Sequence, residues 1–150
     1  MSELVASFVR ALQPDYVVET GTCIGQTAWL IAQALQCNGQ GHLDTIETEA
    51  DRAKFAAERL TGLPALVHCT SSMDFTPREP IGFAWFDSRV DLRVAEFERY
   101  RPHFLPGAIA GFHDTAPHQG AWGRHVESLP GTRAIRLPTP RGVTFVEVLS

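Results

Sequence analysis

Four carboxylates, Glu19, Glu47, Asp87 and Asp114, stand at or near the ends of short apolar runs, and a glycine-spaced turn follows the first of them. In "VVETGTCIGQT", Val17 and Val18 read as a buried strand, Gly21 and Gly25 allow a tight turn, and "TAWLIAQAL" continues as a helix. Strand, glycine turn and helix in this order make a cradle for a nucleotide-type ligand. A dinucleotide would press its pyrophosphate on the turn, an approach that Gly-x-Gly-x-x-Gly serves. Here Cys23 stands in place of the middle glycine, and Glu19 sets a negative charge beside the phosphate position. S-adenosylmethionine reverses the preference, because it lacks phosphate and carries an ammonium and a sulfonium, both cations that a carboxylate favours. Glu47, ending the second apolar run, is placed to accept hydrogen bonds from ribose hydroxyls.

The elements that must position these groups alternate regularly along the chain. Leu4, Val5, Phe8, Val9 and Leu12 share one face of an N-terminal helix that Pro14 stops. A helix from Gln26 closes at Asn38 and Gly39, and "HLDTIE" is the second strand. Thr48 and Asp51 have the spacing of a capping box for "EADRAKFAAERL", which Gly62 and Pro64 end. "ALVHC" and "FAWFDS" read as strands three and four, "DLRVAEFERY" as a helix, "LPGAIAGFHD" as a turn feeding strand five, and "GAWGRHVESL" as a short helix. "TRAIRLP" and "GVTFVEVL" should pair as an antiparallel hairpin. Five βα units and this hairpin predict an α/β fold: a Rossmann-like, doubly wound, seven-stranded, mostly parallel sheet with helices on both faces, formed by residues 1–150 as a single domain. Ligands of such sheets bind beyond the carboxyl ends of the strands, where the four acids fall.

Composition bounds the function. With 150 residues, 44% hydrophobic and 20% charged, the chain can bury one continuous core. A formal net charge of -4 argues against a phosphate-neutralising nucleic-acid surface. No apolar run has membrane-spanning length and "MSELVASFVR" lacks a signal-peptide pattern, so a cytoplasmic location is expected. Cys23, Cys37 and Cys69 are scattered without CxxC spacing, so neither a disulfide frame nor zinc is suggested. An apolar final hairpin edge over "GVTFVEVL" predicts a homodimer through that edge or the adjacent helices.

"VVETGTCIGQTAWLIA", "TIETEADRAKFA", "FAWFDS" and "LPGAIAGFHDTAP" together resemble the class I S-adenosylmethionine-dependent methyltransferases, closest to the small O-methyltransferases that include the catechol type. The resemblance spans essentially the whole chain after Pro14. It implies methyl transfer to an oxygen of a small-molecule acceptor. The cofactor-binding residues it implies are Glu19, Gly21 and Gly25 around the methionine part, Thr27 at its carboxylate, Glu47 on the ribose, Ser71 and Ser72 near the adenine, and Asp87. In metal-dependent members an acid closing strand four and an acid-amide pair closing strand five hold magnesium, so Asp87, Asp114 and Thr115 are the implied ligands here for magnesium or manganese. Two positions depart from that pattern: Val90 stands where the catechol-type enzymes have a lysine base, and Thr115 replaces an amide oxygen with a hydroxyl, a weaker ligand for a hard cation. His113, with Asp87, is then the catalytic candidate, since an imidazole can take a proton from an acceptor hydroxyl. Strand alternation, however, forbids His113 and Asp114 from both facing inward without a kink. A non-catalytic S-adenosylmethionine-binding domain and a dinucleotide-dependent oxidoreductase are the alternatives.

Overall fold

The computed structural model describes residues 1–149. Seven strands form one sheet: β1 (Tyr16–Thr20), β2 (His42–Glu47), β3 (Ala65–Cys69), β4 (Ile81–Phe86), β5 (Phe104–His113), β6 (Thr132–Leu137) and β7 (Val143–Val148), in the order β3-β2-β1-β4-β5-β7-β6. The first five run parallel, and β7 pairs antiparallel with both β5 and β6. Central strands such as β1 and β4 are buried almost throughout, the pattern required when helices cover both faces.

Alternation along β4 divides the core. Phe83 and Trp85 face α1 (Ser2–Leu12) and α2 (Gln26–Asn38), where Val5, Val9, Ile31 and Leu35 complete one cluster. Ala84 and Phe86 face α4 (Arg93–Tyr100) and α5 (Trp122–Glu127), where Phe97, Tyr100 and Val126 complete the other. Each fully buried side chain of this size contributes about 1.5–3 kcal/mol from removal of apolar surface from water. The helix ends follow local chemistry: Gln13 takes the left-handed conformation before Pro14, and Gly39 does so at the end of α2.

The register sets the level of the site. Thr20 pairs with Ile46 and Phe86, and Phe86 pairs with Phe112, so Gly21, Glu47, Asp87 and His113 lie on one rim. Successive strands run outward from β1 to β3 and then from β4 to β5 on the other side, so the topological switch lies between β1 and β4.

Three expectations are corrected. The Thr48–Asp51 capping box does not form: Glu49 caps α3 (Ala50–Arg59) without a side-chain hydrogen bond, and the Thr48 hydroxyl turns back to Glu47 Oε1 at 3.5 Å. The polar stretch between β3 and β4 forms one turn, an extended piece and a bend without a helix, leaving four βα units rather than five. The edge of the sheet is β6, not β7, because "GVTFVEVL" inserts between β5 and β6 and is buried. The β6 edge carries Arg133 and Arg136, and charges of this kind discourage edge pairing, so the expected homodimer loses its apolar β7 edge. Among the described residues, no helix is long and apolar enough to cross a membrane.

Candidate functional site

At the switch point the loops after β1, β2, β3 and β4 enclose a cavity of about 320 Å³, lined in part by Gly21, Glu47, Ser71, Ser72, Asp87 and Ser88. Gly21 is obligatory in this wall. Its φ of 86° is left-handed, and a Cβ there would meet the Asp87 carbonyl oxygen at 2.4 Å. The missing side chain brings the β1 and β4 ends together over the cavity floor.

Glu47 holds the turn from the second strand. One carboxylate oxygen accepts the Cys23 N–H at 2.7 Å and the other accepts the Glu49 N–H at 3.0 Å. These bonds fix both oxygens at the cavity wall; Oε2 keeps a lone pair for a ligand hydroxyl, while Oε1 also accepts the Thr48 hydroxyl at 3.5 Å. Cys23 sits at φ 51°, a strained conformation that this carboxylate contact holds in place.

Glu19 is 1% exposed and lies outside the cavity wall. Thr45 Oγ1 donates to its Oε2 at 2.5 Å, and Thr45 in turn pairs with Thr22 at 2.5 Å. Burial pushes its carboxyl up to about 8, with the Thr45 hydrogen bond working against that rise and the nearby Asp87 charge adding to it. Glu19 therefore lies ready to answer a cation brought to the cavity, since a positive neighbour favours the ionised form.

Glu96, on α4, went unnoticed in the sequence and organises the opposite wall. It is fully buried and accepts hydrogen bonds from Thr20 at 2.9 Å, from Ser88 at 2.8 Å and from Ser72. Three hydroxyls from three separate site segments thus converge on one carboxylate. Burial raises the Glu96 carboxyl above its ordinary range, opposed by these hydroxyls and by Arg93. The only sequence signal was an acid four residues before Tyr100 on the apolar face of an amphipathic helix, where an unpaired charge would not be tolerated.

Beside the cavity, Asp87, His113 and Asp114 offer ligand-type atoms within 4.8 Å of one another. The kink that strand alternation demands is present: Asp114 adopts φ 59°, which turns its carboxylate back beside His113. His113 Nδ1 lies 3.0 Å from Asp87 Oδ1, its Nε2 lies 3.8 Å from Asp114 Oδ1, and its ring sits 5.9 Å from that of Trp85. Arg93, whose side chain is 4% exposed, places Nη2 3.1 Å from Asp87 and 3.3 Å from Asp114. Nη2 also donates to the Ser88 carbonyl at 2.6 Å, as Nε does at 2.9 Å, and Nη1 donates to the His113 carbonyl. Arg141 adds a second guanidinium on Asp114 at 2.5 Å. Burial works to raise the Asp114 carboxyl, but Arg141, His113 and Arg93 together hold it below the usual carboxylate range.

The expected residues do not all meet. Thr27 pairs its hydroxyl with Ser2 at 2.8 Å and is not part of the cavity wall. Gly25 caps α2 and lets Ala56 of α3 approach its Cα side, where a Cβ would lie 3.1 Å from the Ala56 Cβ. Thr115 is buried with its hydroxyl on Thr144 at 2.9 Å, directed to β7 rather than to Asp87 and Asp114. The converging donors are two carboxylates and an imidazole, and both carboxylates already carry a guanidinium. A magnesium-type ion, which asks for several oxygen ligands and uncompensated charge, does not fit this set.

Residues 18–115 match the model of a family described as a methyltransferase domain. No curated protein is detectably similar to the chain in sequence. The fold is shared with the cofactor-bound protein Rv0187 from MTB, at TM-score 0.88 and 17% identity over 98% of this chain and 78% of that one. It is also shared with the O-methyltransferase TomG from Streptomyces achromogenes, solved in complex with SAM, at TM-score 0.84 and 21% identity over 99% and 79%. An rRNA methylase from Streptococcus thermophilus has TM-score 0.79 and 16% identity over 98% and 95%. With the matched segment running from β1 through both strand-end acids of the second half, the chain belongs to this methyltransferase-domain family.

Proposed function

We propose that residues 1–150 act as one S-adenosylmethionine-dependent methyltransferase domain that methylates an oxygen of a small-molecule acceptor, in a cytoplasmic setting. The observation that carries this reading is that Asp87 belongs both to the cavity wall and to the His113 cluster, so a cofactor site and a proton-accepting group adjoin. The glycine turn and Glu47 would hold the ribose side, and Ser71 and Ser72 the adenine side. S-adenosylmethionine supplies, when bound, an electrophilic methyl on a sulfonium. The chain's own part is positional and acid–base. Asp87 fixes the His113 ring through Nδ1, leaving Nε2 to take the acceptor hydroxyl proton, and the fixed alignment of acceptor and donor supplies much of the remaining acceleration. The net charge of -4 supports a small acceptor over RNA, despite the rRNA methylase's shared fold.

The test supplies methyl-labelled S-adenosylmethionine with a panel of phenols, catechols and aliphatic alcohols, and with RNA as a separate arm. Label should enter a hydroxylated small molecule, and His113→Gln should lower the rate by about 10²-fold or more while leaving binding of the demethylated product unchanged. Unchanged turnover in His113→Gln removes the assigned base, and label entering RNA alone removes the acceptor class.

A further inference from the structure

We infer that Arg93 occupies, with its own guanidinium, the position between Asp87 and Asp114 that a divalent cation would otherwise take, so that this site is built to work without a metal. Two strand-end carboxylates this close repel each other unless a positive charge lies between them. Arg93 Nη2 lies there, 3.1 Å from one and 3.3 Å from the other. The placement is not that of a surface arginine. The side chain is 4% exposed, the guanidinium stacks 5.5 Å from the Trp122 ring centre, and Nε and Nη1 are anchored on the Ser88 and His113 carbonyls. Its donors therefore tie the β4–α4 loop to the end of β5, the two segments a metal would bridge. The planar fork is suited to this task, because it is always charged and binds several oxygens in one plane.

The neighbouring groups agree with the assignment. Arg141 takes the second oxygen of Asp114 from the exposed side, and His113 takes Asp87, so the two negative charges face two guanidinium charges before any ion arrives. Thr115 is committed to Thr144, which withdraws the third expected ligand. Arg93 is not itself part of the cavity lining and touches no reacting atom; it acts as a positioning residue through Asp87 and His113. The metal-free chemistry rests on the proposed methyl transfer, whereas the cation-binding property does not.

The experiment titrates manganese into chelator-treated protein, followed by loss of the free-ion paramagnetic resonance signal, for wild type, Asp114→Asn, Arg93→Met and Arg93→Met with Asp114→Asn. Binding of the demethylated cofactor is measured on the same samples. Wild type should take up no manganese to millimolar concentration. Arg93→Met should gain a site at least about tenfold tighter, which Asp114→Asn abolishes. Two results overturn the inference: micromolar manganese binding by wild type that is lost in Asp114→Asn, or a folded Arg93→Met that binds no better than wild type. If Arg93→Met shows no cooperative thermal transition, the wild-type arm decides alone. Manganese binding lost in Asp114→Asn then refutes the assignment, and its absence in a protein that still binds the demethylated cofactor upholds it. Failure to bind that cofactor at all strikes the proposed function and leaves the manganese result standing.

Discussion

Replacing Glu19 by glutamine is expected to stabilise the protein in alkaline solution and to weaken its hold on S-adenosylmethionine at the same time. Glu19 is held by burial at about 8 against an ordinary 4.5, so the folded protein binds this proton more tightly than the unfolded chain. The stability contributed by the protonated carboxyl is therefore complete below about 4.5 and declines as pH rises through 8. At about 1.4 kcal/mol for each unit of separation, the loss above pH 8 amounts to several kcal/mol. Glutamine keeps an oxygen for the Thr45 hydroxyl and carries no charge to desolvate, so its melting temperature should stay level across this window while that of wild type falls. The functional side has the opposite sign. A cationic ligand at the cavity draws Glu19 toward its ionised form, so wild-type affinity should climb as pH approaches 8, with a proton released on binding, and the glutamine variant should bind more weakly with no such climb. Thermal scans and calorimetry on either side of pH 8 check both halves. Parallel stability and affinity profiles for the two proteins would remove Glu19 from the account.

Glu47→Ala should weaken S-adenosylmethionine and its demethylated product equally. The ribose is common to both, whereas the methyl and its charge are not. Losing hydrogen bonds to a charged acceptor costs roughly 1.5–3 kcal/mol, or about ten- to hundredfold in affinity. A further loss comes from the turn, because the Cys23 and Glu49 N–H groups lose their acceptor and the strained Cys23 conformation loses its restraint. Glu47→Gln separates the two contributions: one amide oxygen can still accept a backbone N–H, but the amide nitrogen cannot replace the second acceptor. Its affinity should fall between those of wild type and alanine. Equal affinity in all three proteins, by calorimetry, excludes the ribose role.

The parts of this molecule governed by short-range pattern were legible before the fold was seen. β2 over His42–Glu47 and β3 over Ala65–Cys69 match their apolar runs end to end, and α2 begins at Gln26 and closes on Gly39 as glycine chemistry requires. Of the four acids expected at the strand ends, Glu47 and Asp87 line the cavity because parallel strands in register deliver their carboxyl ends to one level, whereas Glu19 is buried behind its wall and Asp114 joins the adjoining His113 cluster. What the sequence concealed depends on tertiary contact. Arg93 and Glu96 look like ordinary polar positions of an amphipathic helix until α4 docks and buries both against the strand ends. The capping box failed because Thr48 lies beside a carboxylate that also takes the Glu49 N–H. The edge strand was misplaced because hairpin order is decided by which strand pairs with β5, a long-range choice with no local signature. The His113–Asp114 conflict was visible as a conflict, and one left-handed aspartate resolves it.

The central claim is that the cavity between the β1, β2 and β4 ends takes S-adenosylmethionine, and isothermal titration of the chain against that compound, its demethylated product and NAD tests it most directly. The account predicts saturable one-to-one binding of the first two and none of NAD, because the dinucleotide would bring its pyrophosphate to a turn that has Cys23 in place of the middle glycine, with the Cys23 N–H already given to Glu47. Binding of NAD in preference to S-adenosylmethionine, or heats indistinguishable from dilution for both sulfur compounds to millimolar concentration, would contradict it.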